Sequence, residues 1–373
     1  MATNEENWLS NYEDMKAHVL QTGHFCDKHT RLCNWVKYQR KRIKAGTMPE
    51  EQRMMFEALE KMRSGEHTGG KEDIMTLHII GNGLDLAHDM ESTYGHFERF
   101  AWKHAGKRGF HLGLLEEVYP GINRKTGRLE LWSDLEKTLG NPDIKQAYAL
   151  CTEDIEAEED HEIRYQPAME DAPQYMLPAM FDSFQELFDE WVNSIVIYED
   201  EGRVLPHFEA DGLFFSFNYT ETLEELYHIP RERIKYIHGR RNTSDDLIVG
   251  HCNDVDGSKQ LPVSPMIYEY EGYNNVARAV NERRKKVSDI IESNIKYWRL
   301  LHNVNKVVVY GHSLSEVDLP YFRVIAKHVM RDAEWCFSIY YKNILEKNKE
   351  VDKVRKFIKL LNLDEQKCQT FVM

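Results

Sequence analysis

The sequence predicts an α/β protein, a Rossmann-like parallel sheet with helical insertions, preceded by a small N-terminal three-helix domain. Three observations predict it. From residue 74 onward short apolar runs alternate with longer helix-like stretches. Several of those runs stop at a glycine or a small polar residue where a helical pattern begins, as strands of open sheets do at their carboxyl ends. The first 63 residues show helical spacing alone, and a polar, glycine-rich stretch, SGEHTGGKED at 64–73, separates them from the rest. The expected organisation is a domain at 1–63, a linker at 64–73 and an α/β domain at 74–373.

In the first segment Trp8, Tyr12, Met15 and Val19, then Leu32, Trp35, Val36 and Ile43, then Met55, Phe56, Leu59 and Met62 recur at helical spacing, which implies three short helices. Between residues 28 and 49 there are seven basic residues and no acidic one. Such a helix, with Trp35 and Tyr38 on it, suits a nucleic-acid or protein-binding face, and it equally suits a solvated helix; Trp35, by its place in the apolar stripe, reads as core. The pattern of Trp8, Gly23, Leu32-Cys33-Asn34-Trp35-Val36-Lys37-Tyr38-Gln39-Arg40 and Lys44-Ala45-Gly46 resembles the helicase-associated domain.

In the second segment MTLHII (75–80), LFFSF (213–217), RIKYIHG (233–239), DLIVGH (246–251), KVVVYGH (306–312) and WCFSIYY (335–341) read as strands. Helices are expected over 128–140, 180–197, 275–300 and 318–331. The acidic stretch 151–172, which is followed closely by prolines, reads as a loop or a cap.

Composition narrows the function. The net charge of −14 argues against the whole chain coating a nucleic acid. The six cysteines form no CxxC pair, and His251 beside Cys252 lacks ligand spacing, so no metal is expected. No run of eighteen apolar residues occurs, and the polar start MATNEENWLSNYED is unlike a signal peptide; the expectation is a soluble, cytoplasmic chain with no membrane partner.

Five places carry candidate chemistry, one of them LIVGHCND (247–254), a strand finishing in Gly250-His251. Gly81-Asn82-Gly83 sits at a strand-to-helix turn, where glycines let a phosphate approach the backbone, yet the full GxGxxG and any GxxxxGK[ST] are missing. Asp85 just beyond either caps the helix or contacts a ribose or base. Asn218 ends the strand LFFSF and either makes the turn or faces a ligand. His238, beside a glycine at the end of the next strand, can take or give a proton near neutral pH. Gly311-His312-Ser313, before a helix starting near Asp318, offers another phosphate or ribose cradle. Five candidate strands thus end in residues suited to one shared crevice.

Taken together, GNGLDLAHDMESTYGHF, LWSDLEKTLG, FSFNYTETLEELY, YIHGR, IVGH and YGHSLSEVDLPYF resemble the AbiH family of phage abortive-infection proteins across almost all of 74–342. More distantly the chain is similar to sirtuin-like NAD-binding domains, in which a glycine-rich first loop, the asparagine of an NYD motif and the histidine of an HG motif surround the nicotinamide ribose. Asn218 and His238 match that asparagine and histidine; Thr220 stands where the distant relatives carry Asp, and GNG where they usually carry GAG. The resemblance implies a bacterial anti-phage effector that binds NAD and hydrolyses it to nicotinamide and ADP-ribose. In that reading Asn218 orients the ribose or water and His238 is the base. Gly81, Asn82, Gly83, Gly311, His312 and Ser313 hold phosphates and the adenosine ribose, and Asp85 and Asp318 accept hydroxyls. Glu136 is a wall or acid group, or else a surface helix residue. A non-catalytic nucleotide sensor, and a defence protein that binds nucleic acid or a phage protein through residues 1–63, are the alternatives. A homo-oligomer is compatible with each.

Overall fold

The protein is described here by a computed structural model covering residues 4–22, 25, 30–64, 75–122, 127–156, 162–198, 208 and 212–373. Gly23, Cys26, residues 65–73 of the expected linker and residues 157–161 of the acidic stretch lie outside the described residues. The chain divides into two compact units, Met1–Ile74 and Met75–Met373.

The first unit contains α1 (Asn4–Thr22), α2 (Arg31–Lys44) and α3 (Glu50–Ser64). Thr30 caps α2 by accepting from the Cys33 N–H at 3.1 Å, and Gly46 leaves the helix at a φ of 65°. Trp35 lies between Trp8 and Phe56, with ring centroids 5.6 and 5.7 Å away, so it packs in the core as its position in the stripe implied. The Trp8 Nε1–H donates to the buried Gln39 amide oxygen at 3.0 Å. Among the described basic residues Arg31 and Arg40 pair with Asp14 and Glu60, Arg42 donates to the Gln39 and Gln52 amide oxygens, and Lys37, Lys41 and Lys44, with Tyr38, are exposed on α2.

The second unit is built on a six-stranded, all-parallel sheet: β1 (Met75–Ile80), β2 (Leu213–Ser216), β3 (Ile234–Tyr236), β4 (Val304–Tyr310), β5 (Glu334–Ile339) and β6 (Cys368–Val372). The spatial order is β3-β2-β1-β4-β5-β6, an α/β Rossmann-like arrangement in which the chain runs outward from β1 on one side and then returns to start again at β4. Leu77 lies opposite both Leu213 and Val307, and alternate residues serve opposite faces. Leu77, Ile79, Phe215, Val307 and Val309 pack with Trp298, Tyr321 and Phe322 on one side. Ile80, Phe214 and Tyr310 pack with Leu84, Phe208 and Leu223 on the other.

Helices fill the crossovers. Between β1 and β2 come α4 (Gly83–Ala87), α5 (Tyr94–His104), α6 (Gly109–Val118), α7 (Leu135–Leu139), α8 (Ile144–Glu156) and α9 (Glu162–Ser194). Next are α10 (Thr222–Tyr227) after β2, and α11 (Ile267–Glu282), α12 (Val287–Ser293) and α13 (Ile295–Leu300) before β4. The last two are α14 (Leu319–His328) after β4 and α15 (Ile344–Leu361) after β5. Helices α5, α6, α8, α9 and α11 share a core of their own, with Phe97 set among Phe184, Phe188 and Trp191.

The structure corrects four expectations. DLIVGH is not a strand. It crosses the carboxyl end of β3 as an extended strap, tied by the Ile248 N–H to the His238 carbonyl at 2.9 Å and by the Tyr219 hydroxyl to the Ile248 carbonyl at 2.9 Å. The described residues of 151–172 are helical and not a loop, since α8 continues to Glu156 and α9 begins at Glu162. Pro167, Pro173 and Pro178 lie inside α9, where each removes a donor, but the buried Leu177, Phe181, Phe184 and Phe188 hold the helix against its neighbours. Stretches 128–140 and 275–300 are not continuous helices: the first is a short turn and α7, and the second is the end of α11 followed by α12 and α13. The edge strand β6 has no counterpart among the expected strands, because Cys368–Val372 is short and mostly half-exposed or exposed.

Candidate functional site

The strand order reverses between β1 and β4, which leaves a crevice beyond their carboxyl ends. A cavity of about 680 Å³ occupies it, a volume suited to a small organic ligand. All ten residues singled out in the sequence line this one cavity: Gly81, Asn82, Gly83, Asp85, Asn218, His238, Gly311, His312, Ser313 and Asp318. Four strand ends bring them together; the expected fifth does not, since no residue of 246–251 lines the cavity and His251 Nε2 bonds the Val280 carbonyl at 2.9 Å.

The turn after β1 touches the turn after β4 backbone to backbone. Gly81 N–H donates to the Tyr310 carbonyl at 2.9 Å and Gly83 N–H to the Gly311 carbonyl at 2.7 Å. A Cβ on Gly83 would lie 2.5 Å from the Gly311 Cα, and one on Gly311, itself at a φ of 63°, would lie 2.6 Å from the Leu84 nitrogen. Glycine is therefore required here for chain-to-chain approach. The two amides expected to cradle phosphate are already occupied, and the Asn82 side chain is held by the Ser92 carbonyl at 2.7 Å.

Asp85 does not cap its helix. It is buried and accepts from Thr220 at 2.6 Å and from Thr222 at 2.7 Å, so it joins the β1 turn to the β2 turn. Burial raises its pKa, while the two hydroxyls, the nearby Asn218 amide and Arg241 work the other way. Arg241 fixes the β2 turn from below, bonding Glu221 at 2.6 Å and the Ile195 carbonyl.

Asn218 is 5% exposed, and neither its amide nitrogen nor its oxygen has a hydrogen-bond partner of sound geometry. His238 is 3% exposed, lies among the rings of Phe217, Tyr219 and Tyr321, and its Nε2 is likewise unpartnered. Burial, then the positive charge of Lys285, hold its pKa well below the ordinary histidine value, with Asp318 opposing them. His238 is therefore a neutral imidazole at physiological pH. His312 Nδ1 accepts from the Leu314 N–H at 2.8 Å, which leaves the Nε2–H to face Asp318 Oδ2 at 3.4 Å. Burial would raise the Asp318 pKa, but the His312 hydrogen bond and the Lys285 charge outweigh it and hold it low. Ser313 is exposed at the mouth.

The sequence reading missed Lys285, whose side chain is fully buried against Glu136 at 2.5 Å. It belongs to NERRKK, which reads as a solvated charge run. Glu136 itself is a wall of the cavity, not a surface helix residue. Trp191 and Ile195 of the α9 end and Tyr94 of α5 also line the cavity, and nothing in their local sequence distinguishes them from ordinary core positions. Among the described residues no group of histidine, cysteine, aspartate and glutamate side chains is arranged to hold a metal ion, and no helix is long and apolar enough to cross a membrane.

A family model described as bacteriophage abortive infection AbiH matches residues 77–339, a span that includes every strand end around the cavity. No curated protein and no solved structure gives a significant match.

The close approach of the two turns leads to a stability prediction. Gly83→Ala should destabilise the α/β unit by about 1–3 kcal/mol, because backbone, not a movable side chain, blocks the new methyl. Gly113→Ala, where a Cβ meets nothing within 4 Å, is the control and should be neutral or mildly stabilising in its helix. Equal melting temperatures for the two variants would contradict the contact.

Proposed function

The chain belongs to the AbiH family of bacteriophage abortive-infection proteins, whose role is phage defence, and from that premise we propose that it acts by cleaving the nicotinamide–ribose bond of NAD. One observation carries the reading. Two buried polar side chains that make no hydrogen bond of sound geometry, Asn218, whose amide lies near Asp85, and His238 at its Nε2, line the same cavity at the carboxyl ends of adjacent strands, β2 and β3. A buried polar group left unpaired is unfavourable to folding, so such a pair at a crevice is a pair awaiting a ligand. The reading draws support from the distant resemblance of the motifs to sirtuin-like domains, where an asparagine and a histidine of this kind surround the nicotinamide ribose. Thr220, which replaces the aspartate of those domains, donates to Asp85, so a carboxylate is present at that place from another strand end.

The chemistry follows from the groups. As the C1′–N bond breaks, its electron pair passes to the nicotinamide ring, which leaves neutral, and positive charge develops on the ribose. Asn218, with a donor and an acceptor free, orients a ribose hydroxyl and the attacking water. The His238 Nε2 takes the proton that the water loses, giving ADP-ribose. Asp85 and Asp318 accept ribose hydroxyls. A bound-nucleotide sensor would use the same groups without turnover, and nicotinamide release from NAD by purified protein separates the two.

Asn218→Ala should lower that release by about 10²–10⁴-fold while leaving the melting temperature unchanged or higher, since it removes an unpaired buried amide. His238→Ala should lose activity similarly. Activity that survives both substitutions would remove these roles. Because His238 stays neutral well below the ordinary histidine range, the rate should remain flat as pH falls through about 6.5, where an unperturbed imidazole base would be half lost. A midpoint near that value would contradict the burial of the base.

A second reading concerns the N-terminal unit, where Lys37, Tyr38, Lys41 and Lys44 form an exposed basic face in a chain of net charge −14. That face suits a nucleic-acid partner. Binding should fall steeply with salt, and replacing the three lysines by glutamate should flatten the log–log salt slope by up to about 3. Retention that is the same at low and high salt would point to a protein partner instead.

A further inference from the structure

The walls of the cavity carry an uneven charge. Asp85, Glu136, Asp318 and Glu350 line it, the first three buried or nearly so, and against those three stands one buried lysine, Lys285, reaching Glu136 Oε1 from behind at 2.5 Å. Among the described lining residues Lys353 is the only lysine or arginine; it lies on α15, is solvent-exposed and stands 3.9 Å from Glu350. The turn amides of Gly81 and Gly83 are occupied, so the inner end offers little to a phosphate. Besides the acidic groups, the inner end presents Asn218, the His238 Nε2 and the Asp318 Oδ1, all buried and all unpartnered. The negative field of Glu136 extends across this space: after burial, it is the next cause that raises the pKa of both Tyr94 and Tyr219.

We propose that the inner end of the cavity selects a cationic centre, a positively charged N-ribosyl heteroaromatic ring, and that Glu136, positioned by Lys285, is the carboxylate that reads the charge. The identity of the ring rests on the NAD reading above; the selection for positive charge does not. A carboxylate fixed in a site of low dielectric attracts a cation far more strongly than one in water does. Burial, then the charge of Asp318, raise the Glu136 pKa against the opposing Lys285 ammonium, and the 2.5 Å contact with Lys285 fixes the carboxylate in one orientation beside its counter-charge. Lys285 therefore acts through Glu136. The phosphates of a dinucleotide are turned toward the mouth, where Lys353 and Ser313 lie.

The test uses a pair of fragments that differ in charge and not in shape, the 1-methylnicotinamide cation and neutral 3-methylbenzamide, titrated calorimetrically into the full chain. Wild type should bind the cation at least about tenfold more tightly. The double variant Glu136→Gln/Lys285→Met removes both charges and leaves none buried alone, and its ratio should fall to near one. Glu136→Gln by itself, which leaves Lys285 uncompensated, should favour the neutral fragment; wild type, which must prefer the cation, tests the proposal without any variant. No preference in wild type, a preference that persists in the double variant, or no binding of either fragment overturns the proposal. Selection for the cation without nicotinamide release from NAD would remove the hydrolase reading and leave this one standing.

Discussion

The contact on which the site depends is the one between two stretches of backbone, the Gly81-Asn82-Gly83 turn and Gly311. It lies where β1 and β4, paired from Thr76 against Lys306 to Ile80 against Tyr310, release their chains at the point of strand reversal. Side chains at these positions would push the two turns apart; without them the turns close to hydrogen-bonding distance and the floor of the crevice is backbone. The space above is left for a ligand because no side chain rises from that floor. The same contact uses the amides that an open glycine turn would offer to phosphate. Recognition of a ligand is thereby moved from the floor to the walls, and the walls are acidic.

Those walls come largely from outside the sheet. Trp191 lies in the last turn of α9 and Ile195 just beyond it, Tyr94 begins α5, and Glu136 lies on α7, held from behind by Lys285 in the link between α11 and α12. The Glu136–Lys285 pair joins segments 149 residues apart in the chain. Breaking either half of such a buried pair leaves an unpaired charge, which typically costs about 3–5 kcal/mol. The pair thus ties the helical insertion to the site: α7 must lie where it does, or Lys285 has no partner. Arg241 makes a comparable tie between the β2 turn, through Glu221, and the end of α9, through the Ile195 carbonyl.

How much of this could be read from the sequence depended on whether the signal was local. Strand ends are local signals: an apolar run that stops at Gly81, Asn218, His238 or Gly311 shows where a crevice can form, and the cavity does gather those residues. The helical insertion is not local. Prolines at 167, 173 and 178 argue for a loop by propensity, and only the apolar face of α9 packed on α8 and α11 overrides them. DLIVGH has the composition of a strand but lies across the end of β3, where Gly239 lets it pass: a Cβ there would strike the Asp246 carbonyl at 2.3 Å. Lys285 was hidden for the opposite reason, since a lysine within a run of charges carries no mark of burial. The purpose of the glycines was also only half legible. Sequence shows that glycine is needed at a turn, but not whether a ligand or another chain segment makes the close approach.

The unpaired groups set the energetic character of the cavity. Asn218 and His238 sit on turns held by other residues: the Phe217 N–H bonds the Ile80 carbonyl at 2.9 Å, the Ile237 N–H bonds the Ser216 carbonyl at 3.1 Å, and the Arg241 N–H bonds the Tyr219 carbonyl at 2.9 Å. The backbone on either side is thus fixed without help from the two side chains, which are left free to meet a ligand. Their desolvation is offset by the aromatic packing around them, with Phe217 stacked on Phe322 and edge-on to His238. A ligand that supplies hydroxyls to Asn218 and a proton-bearing water to His238 recovers hydrogen bonds that folding had to forgo, so binding strength and folding stability draw on the same groups in opposite directions. Unpartnered buried atoms also occur within the core, as at Thr76 and Tyr321, so what sets Asn218 and His238 apart is that theirs line the cavity at the ends of β2 and β3.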